Sequence, residues 1–391
     1  MKYNFDKVID RSGTSAEKVE GLKHIWGRTD LIPLWVADMD FATAPFVTDA
    51  IRKRCENEVL GYTGKPDSYY NAIINWVKQR YDLIVTKEVI NFVPGIVPGI
   101  GMAMNCFTQK GDKVMIQPPV YHPFAWVTTR NERTLVINPL RWENGMYRMD
   151  LDAFREQIKG CKLFILCNPH NPGGVVWTEA ELRAIADICY DEKVLVFSDE
   201  IHADLTLPPH THRPFATVSE KARMNSVTFM SPSKAFNMPG LSASHALIFN
   251  EDLRKRFRIY MDAGELDMGH VFAFLSVEAA YSHGTEWLDQ CLAYIQGNID
   301  FVDEFSKKHA PKIKAIRPEA SYLVWLDCRE LELSQKDLNE FFVDKAHLAL
   351  NDGEMFGKEG IGFMRLNVAS PRCIIEKAMK QLADAYQLYI K

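Results

Sequence analysis

The sequence predicts an α/β protein: a mostly parallel central sheet with helices on both faces, followed by a smaller α+β unit. Three observations carry this. Between about residues 90 and 250, short apolar runs rich in β-branched residues alternate with amphipathic stretches, the pattern of a parallel sheet covered by helices. After about residue 284 the pattern changes to long helical periodicity interrupted by two strand-like runs. The composition, 47% hydrophobic and 25% charged over 391 residues, is that of a globular chain long enough for two domains.

Taken in order, the expected strands of the first part are Lys113–Gln117, Thr134–Asn138, Lys162–Cys167, Val194–Ser198, Ser226–Met230 and His245–Phe249. Between them lie helical patterns such as Glu179–Tyr190. There Leu182, Ile185, Ala186 and Cys189 fall at helical spacing behind Thr178 as N-cap. Thr206–Pro214, with its prolines and histidines, reads as a surface loop. In the second part, Tyr322–Asp327 and Phe363–Val368 read as strands and Ile374–Leu388 as a final helix.

The charge balance, 46 basic against 51 acidic residues without a run of one sign, argues against a nucleic-acid or membrane-surface partner and for a small-molecule substrate. The eight cysteines are scattered, with no ligand-like spacing, so no metal site is expected. The chain opens on polar residues without an apolar signal core, and no stretch reaches the ~20 apolar residues of a membrane span. A cytoplasmic location with free thiols is the expectation.

Four segments could carry chemistry. Lys234 follows a strand in Ser231-Pro232-Ser233-Lys234, behind two hydroxyls that could bind a phosphate. An isolated lysine is usually a solvated charge, so its company matters. Asp199 ends the strand Val194–Ser198, at the sheet edge where open α/β folds bind ligands; it is either a cap or a carboxylate for the pyridine nitrogen of a cofactor. Asn171, in Asn168-Pro169-His170-Asn171-Pro172-Gly173-Gly174, is part of a rigid turn or a donor at a strand mouth. The loop Pro94–Gly99 opens an apolar helix whose first amides, those of Ile96, Val97 and Gly99 with Pro98 at the first helical position, suit a phosphate. Beyond these, Tyr121 is a core aromatic or one that stacks on a flat ring. Arg365, half-buried on an alternating strand with Asn367 on its face, wants an anion: a substrate carboxylate or a structural salt bridge.

In this order the residues resemble the fold-type I pyridoxal-phosphate enzymes, the aspartate aminotransferase superfamily. The stretches Trp35-Val36-Ala37-Asp38-Met39-Asp40-Phe41, Gly61-Tyr62-Thr63-Gly64, Asn168-Pro169-His170-Asn171-Pro172 and Ser198-Asp199-Glu200-Ile201-His202 are similar to the MalY/PatB-type cystathionine β-lyases and cystalysin. The resemblance covers nearly the whole chain. It implies the pyridoxal-phosphate-dependent transferase fold, with residues 1–47 as N-terminal arm and part of the small domain, 48–284 as the large cofactor-binding domain and 285–391 as the small C-terminal domain.

It also implies roles. Lys234 would hold pyridoxal 5'-phosphate as a Schiff base, Asp199 the ring nitrogen, Asn171 the ring oxygen, with His202 among the cofactor contacts and Tyr121 stacked on the ring and catalytic. The phosphate would be held by the Ile96 and Val97 amides, Ser231, Ser233 and Tyr62 of the neighbouring subunit, so a homodimer is implied. Arg365, Asn171 and Ala37 would bind an amino-acid substrate. Two positions depart from aminotransferase relatives: Ser242 stands where an arginine is common and His202 where a tyrosine is. The Lys-Trp-Asp common near the family's start is replaced by Gly21-Leu22-Lys23-His24-Ile25-Trp26-Gly27. The implied reaction is α,β-elimination from cystathionine, cysteine or another S-conjugate, giving a thiol, pyruvate and ammonia, with Lys234 as base after its pKa falls by about three units. The alternatives are an aminotransferase on the same fold, or a lyase with an added transcription-regulatory role.

Overall fold

The computed structural model describes residues 2–389. Its central sheet has seven strands: β1 (Ile90–Val93), β2 (Lys113–Ile116), β3 (Thr134–Ile137), β4 (Cys161–Cys167), β5 (Leu195–Asp199), β6 (Ser226–Met230) and β7 (Ser244–Leu247). Their spatial order is β1-β7-β6-β5-β4-β2-β3. From β6 across to β3 all neighbours pair in parallel. β7 runs antiparallel to both its neighbours, so the sheet is mostly parallel, as expected, with one reversed strand. Every residue of β6 and all but one of β4 are buried, the mark of strands covered on both faces. β1 has no counterpart among the expected strands; Asn91 interrupts its apolar run, although all four residues are buried.

The helix Glu179–Asp191 shows how local chemistry sets an element. Thr178 Oγ accepts from the Glu181 amide at 3.2 Å, and the Glu181 carboxylate accepts from the Thr178 amide at 2.9 Å, a reciprocal cap. Leu182, Ile185, Ala186, Ile188 and Cys189 then form the buried face beneath it.

A second sheet contains β8 (Lys314–Ile316), β9 (Leu323–Asp327), β10 (Asn351–Asp352) and β11 (Phe363–Asn367), in the order β8-β9-β11-β10 and wholly antiparallel. The long helices Thr285–His309 and Arg372–Tyr389 pack on each other beside it. The N-terminal part of the chain joins this sheet's surroundings: Ile32–Pro33 pairs in parallel with Leu348–Ala349, and the Asn367 amide donates to Leu34 O at 3.0 Å.

The stretch Thr206–Pro214 corrects its expectation as a plain surface loop. Residues 208–211 are exposed, but Leu207 and His212 are buried and Thr206 bridges to Ala320. The cause is Glu200, a carboxylate 1% exposed, which takes hydrogen bonds from the Phe215 amide and from His212 Nε2, both at 2.8 Å. No helix among the described residues is long and apolar enough to cross a membrane.

Candidate active site

The carboxyl ends of β1, β2, β4, β5 and β6 lie along one edge of the sheet. Because β7 is reversed, its amino end reaches that edge too, bringing Ser242, Ala243 and Ser244 to the same place. There the connections enclose a cavity of about 210 Å³ lined by Ala37, Ile96, Val97, Tyr121, Asn171, Asp199, His202, Ser233 and Lys234, among others.

Lys234 stands just beyond β6 in a turn built by its own serines. The Ser233 amide donates to Ser231 Oγ at 3.1 Å, and Ser231 Oγ lies 2.8 Å from Ala243 O. Ser231 is therefore occupied behind the cavity wall, and Ser233 is the serine that faces in. Lys234 Nζ donates to Ala37 O at 2.5 Å. Burial pulls the amine down to about 8, Asp38 and Asp199 resisting and Arg365 assisting.

Asp199 closes β5. Its Oδ1 accepts from the Ile201 amide at 3.1 Å, and among the described residues no cation pairs with it. Burial drives its carboxyl up to about 7, against the pull of that amide, with Glu200 adding to the rise and Lys234 opposing it. A buried acid in this state lacks a positive partner, and a protonated ring nitrogen would supply one. His202 is buried with Nδ1 unpartnered, and burial depresses its ring to about 3, so it is neutral. Burial also raises the Tyr121 phenol, which stays protonated.

The helix after β1 begins at Ile96 behind Gly95, whose φ of +131° favours glycine. Pro98 is thus its third residue and not its first. The Gly99 amide is spent on Gly95 O at 3.0 Å, which leaves Ile96 and Val97 as the free donors of the expected three.

Arg365, on β11, is 4% exposed and so fully, not half, buried. Nη1 donates to Asn171 Oδ1 at 3.0 Å; Nη2 donates to Trp35 O at 3.1 Å and to Asn351 Oδ1; the guanidinium lies 4.9 Å over the Phe356 ring. All these oxygens are neutral, and no carboxylate pairs with Arg365 among the described residues. Nε has no partner, and burial lowers the group to about 10. A structural salt bridge is not what occupies it.

Tyr62 is 97% exposed and lies beside Asp262, Asp267 and Met268, outside the cavity of its own chain. The N-terminal helix Glu17–Trp26 supplies a lysine the sequence reading passes over: Lys18 is fully buried, 2.8 Å from Asp40 and 3.6 Å from Asp38. Tyr322, Asn351 and the carbonyls of Trp35, Val36 and Asp38 also belong to the site's surroundings and were not expected there, whereas Ala37 was, and Asn367 was expected only to share a strand face with Arg365. Tyr322 donates to Ala37 O at 2.9 Å, and Asn367 Nδ2 to Val36 O and Asp38 O at 2.7 and 2.6 Å. Backbone carbonyls leave no mark in a sequence; only the polar Asn367 beside Arg365 on one strand face hinted at them.

The family model for aminotransferase class I and II matches residues 29–382. Cystathionine beta-lyase PatB of Bacillus subtilis (strain 168) is 38% identical over 384 residues, covering 98% of this chain and 99% of that protein. Cystalysin from Treponema denticola, whose crystal structure contains a pyridoxal 5'-phosphate cofactor, superposes with a TM-score of 0.96 at 33% identity, over the full length of both chains. The PLP-bound C-S lyase from Staphylococcus hominis superposes with a TM-score of 0.91 at 35% identity, covering 98% of each chain.

Proposed function

The chain belongs to the aminotransferase class I and II family, and on that premise we propose that it is a pyridoxal-phosphate-dependent carbon–sulfur β-lyase. It acts on L-cystathionine, L-cysteine or a related S-conjugate and releases a thiol, pyruvate and ammonia. One observation carries the reading: a lysine amine that burial pulls down to about 8 feels the charge of both a buried carboxyl, which pairs with no cation among the described residues, and a buried guanidinium, which pairs with no carboxylate among them.

The cofactor, when bound, supplies an electron sink for the charge that develops at the substrate's α-carbon. Lys234 holds it covalently through Nζ. Asp199 would hold the ring nitrogen, Asn171 would reach the ring oxygen, His202 would be a further contact, and Tyr121 would pack on the ring. The Ile96 and Val97 amides, at the positive end of their helix, would hold the phosphate with Ser233, and Ser231 would fix that turn from behind. Tyr62 serves the site of a second copy in a homodimer.

Arg365 takes the substrate carboxylate, and Ala37 borders the same space. With a pKa near 8, about a tenth of the Lys234 amine is neutral at pH 7, enough to accept the α-proton at Nζ. The departing sulfur then needs a proton. Of the two candidate donors, burial lowers the Lys234 amine toward the range of a thiol and raises the Tyr121 phenol away from it, which favours Lys234. Lys234 returns the proton, and Tyr121 keeps the ring in place. The free state of all eight cysteines suits the reducing cytoplasm, where we place the enzyme.

The test is a panel of S-substituted cysteines and amino donors offered to the purified protein with cofactor. Pyruvate and thiol should appear with no keto acid added. Amino transfer to a keto acid much faster than elimination would sink the lyase reading.

A further inference from the structure

We propose that Tyr322 is a positioning residue for Lys234, acting through the Ala37 carbonyl to which both side chains donate. The proposal rests on Lys234 being the lysine that carries the cofactor.

Tyr322 enters β9 with its ring fully buried, and its hydroxyl donates to Ala37 O at 2.9 Å. The Lys234 amine donates to the same oxygen at 2.5 Å. A carbonyl oxygen has two lone pairs; with Tyr322 on one, the amine must approach along the other. The peptide cannot swing to offer a different direction, because the carbonyls around it are pinned. Arg365 holds Trp35 O, and Asn367 Nδ2 holds both Val36 O and Asp38 O. The second sheet thus fixes, through backbone, the place where the catalytic amine rests once it is free.

The arrangement also bears on the amine's charge. A carbonyl already accepting from Tyr322 has less electron density to offer an ammonium, so the charged form of Lys234 is stabilised less than by an unshared carbonyl. The groups facing Lys234 divide accordingly. Asp38 and Asp199 favour the ammonium, Arg365 and burial disfavour it, and the neutral His202 ring shares the cavity. Tyr322 sides with Arg365. It remains a donor throughout the working range, because burial pushes its phenol well above the ordinary value.

The experiment reads Lys234 without turnover. Cofactor-free protein is mixed with pyridoxal phosphate, and the rate of cofactor attachment is followed by absorbance from pH 6 to 10; its midpoint reports the pKa of the lysine amine. Tyr322→Phe, shown to be folded by circular dichroism, should shift the midpoint upward by roughly 0.5 to 1 unit and slow attachment at pH 7 about three- to tenfold. An unmoved or lowered midpoint overturns the proposal. If Tyr322→Phe does not fold, 3-fluorotyrosine placed at position 322 makes a stronger donor and should lower the midpoint; no change would overturn the proposal equally. Wild-type protein that attaches no cofactor at any pH would instead defeat the reading of the site itself, and this proposal with it.

Discussion

A buried guanidinium surrounded by neutral oxygens is an unfinished arrangement, and Arg365 is one. Two of its nitrogens hold Asn171, Asn351 and Trp35 O, and the group still carries an uncompensated charge. Lysine at this position would keep the charge but lose the planar fork, and one ammonium cannot serve both the amides and a substrate carboxylate. Arg365→Lys should therefore lower kcat/KM about a hundredfold, ~2–3 kcal/mol, mainly through KM, as steady-state kinetics with an S-substituted cysteine would show. Unchanged KM would mean the carboxylate is held elsewhere. At this scale Lys234, Asp199 and Asn171 were legible because each follows a strand in an α/β pattern, and such positions converge on one edge. The depth of Arg365 was not legible, since alternation tells which face a residue is on and not what covers that face. Nor was the place of Ser231, because a hydroxyl taken by neighbouring backbone reads like one that is free.

The elements have to meet as closely as the residues do. The helix Ile96–Phe107 reaches the cavity because Gly99 lets it lie directly on the sheet: a Cβ there would come within 2.9 Å of Val93 Cγ2 and 3.1 Å of Phe229 Cε1. Neither neighbour is the flexible end of a long chain, so the helix would have to move. Alanine normally gains about 1 kcal/mol over glycine in a helix interior, while overpacking of this kind costs about 1–3 kcal/mol. Gly99→Ala should thus lower Tm despite its better propensity. It should also weaken cofactor binding several-fold, since the Ile96 and Val97 amides shift with the helix. Thermal melts and a pyridoxal phosphate titration check both, and a variant equal to the parent in each would show that the close contact is not what sets the helix. The strands that were expected lie within one or two residues of their places, from Ser226–Met230, which coincides, to Cys161–Cys167, which begins one residue earlier, whereas β1, β8 and β10 were not read at all. Strand direction was not: the apolar pattern of Ser244–Leu247 is the same whichever way it runs, and only its pairing shows the reversal that brings Ser242 and Ser244 to the site.

Across the whole molecule, the two sheets and the N-terminal segment enclose several titratable rings that must stay neutral. His170, His202 and His245 are held by burial at about 4, 3 and 3, below the ordinary 6.5, and neither ring nitrogen of His245 has a hydrogen-bond partner among the described residues. For each, the unfolded chain binds a proton that the folded one refuses once the pH drops below about 6.5. Stability is therefore fully present above that value and falls as the pH descends toward 3 to 4, by about 1.4 kcal/mol per unit per histidine. Asp199, raised to about 7, works in the opposite sense between roughly pH 4 and 7, because the folded state then holds the extra proton. Four histidines, His122 included since burial holds it at about 4, outweigh the two carboxyls that burial raises, Asp199 and Asp204, so acid should loosen the protein from about pH 6 downward, before most carboxylates titrate. His245→Leu isolates one of these histidines at a position outside the lining of the cavity. Relative to the parent, it should gain about 2 kcal/mol in urea unfolding between pH 7.5 and 5.0. Parallel pH dependences for the two proteins would show that His245 is not refused its proton, and that the acid response arises elsewhere.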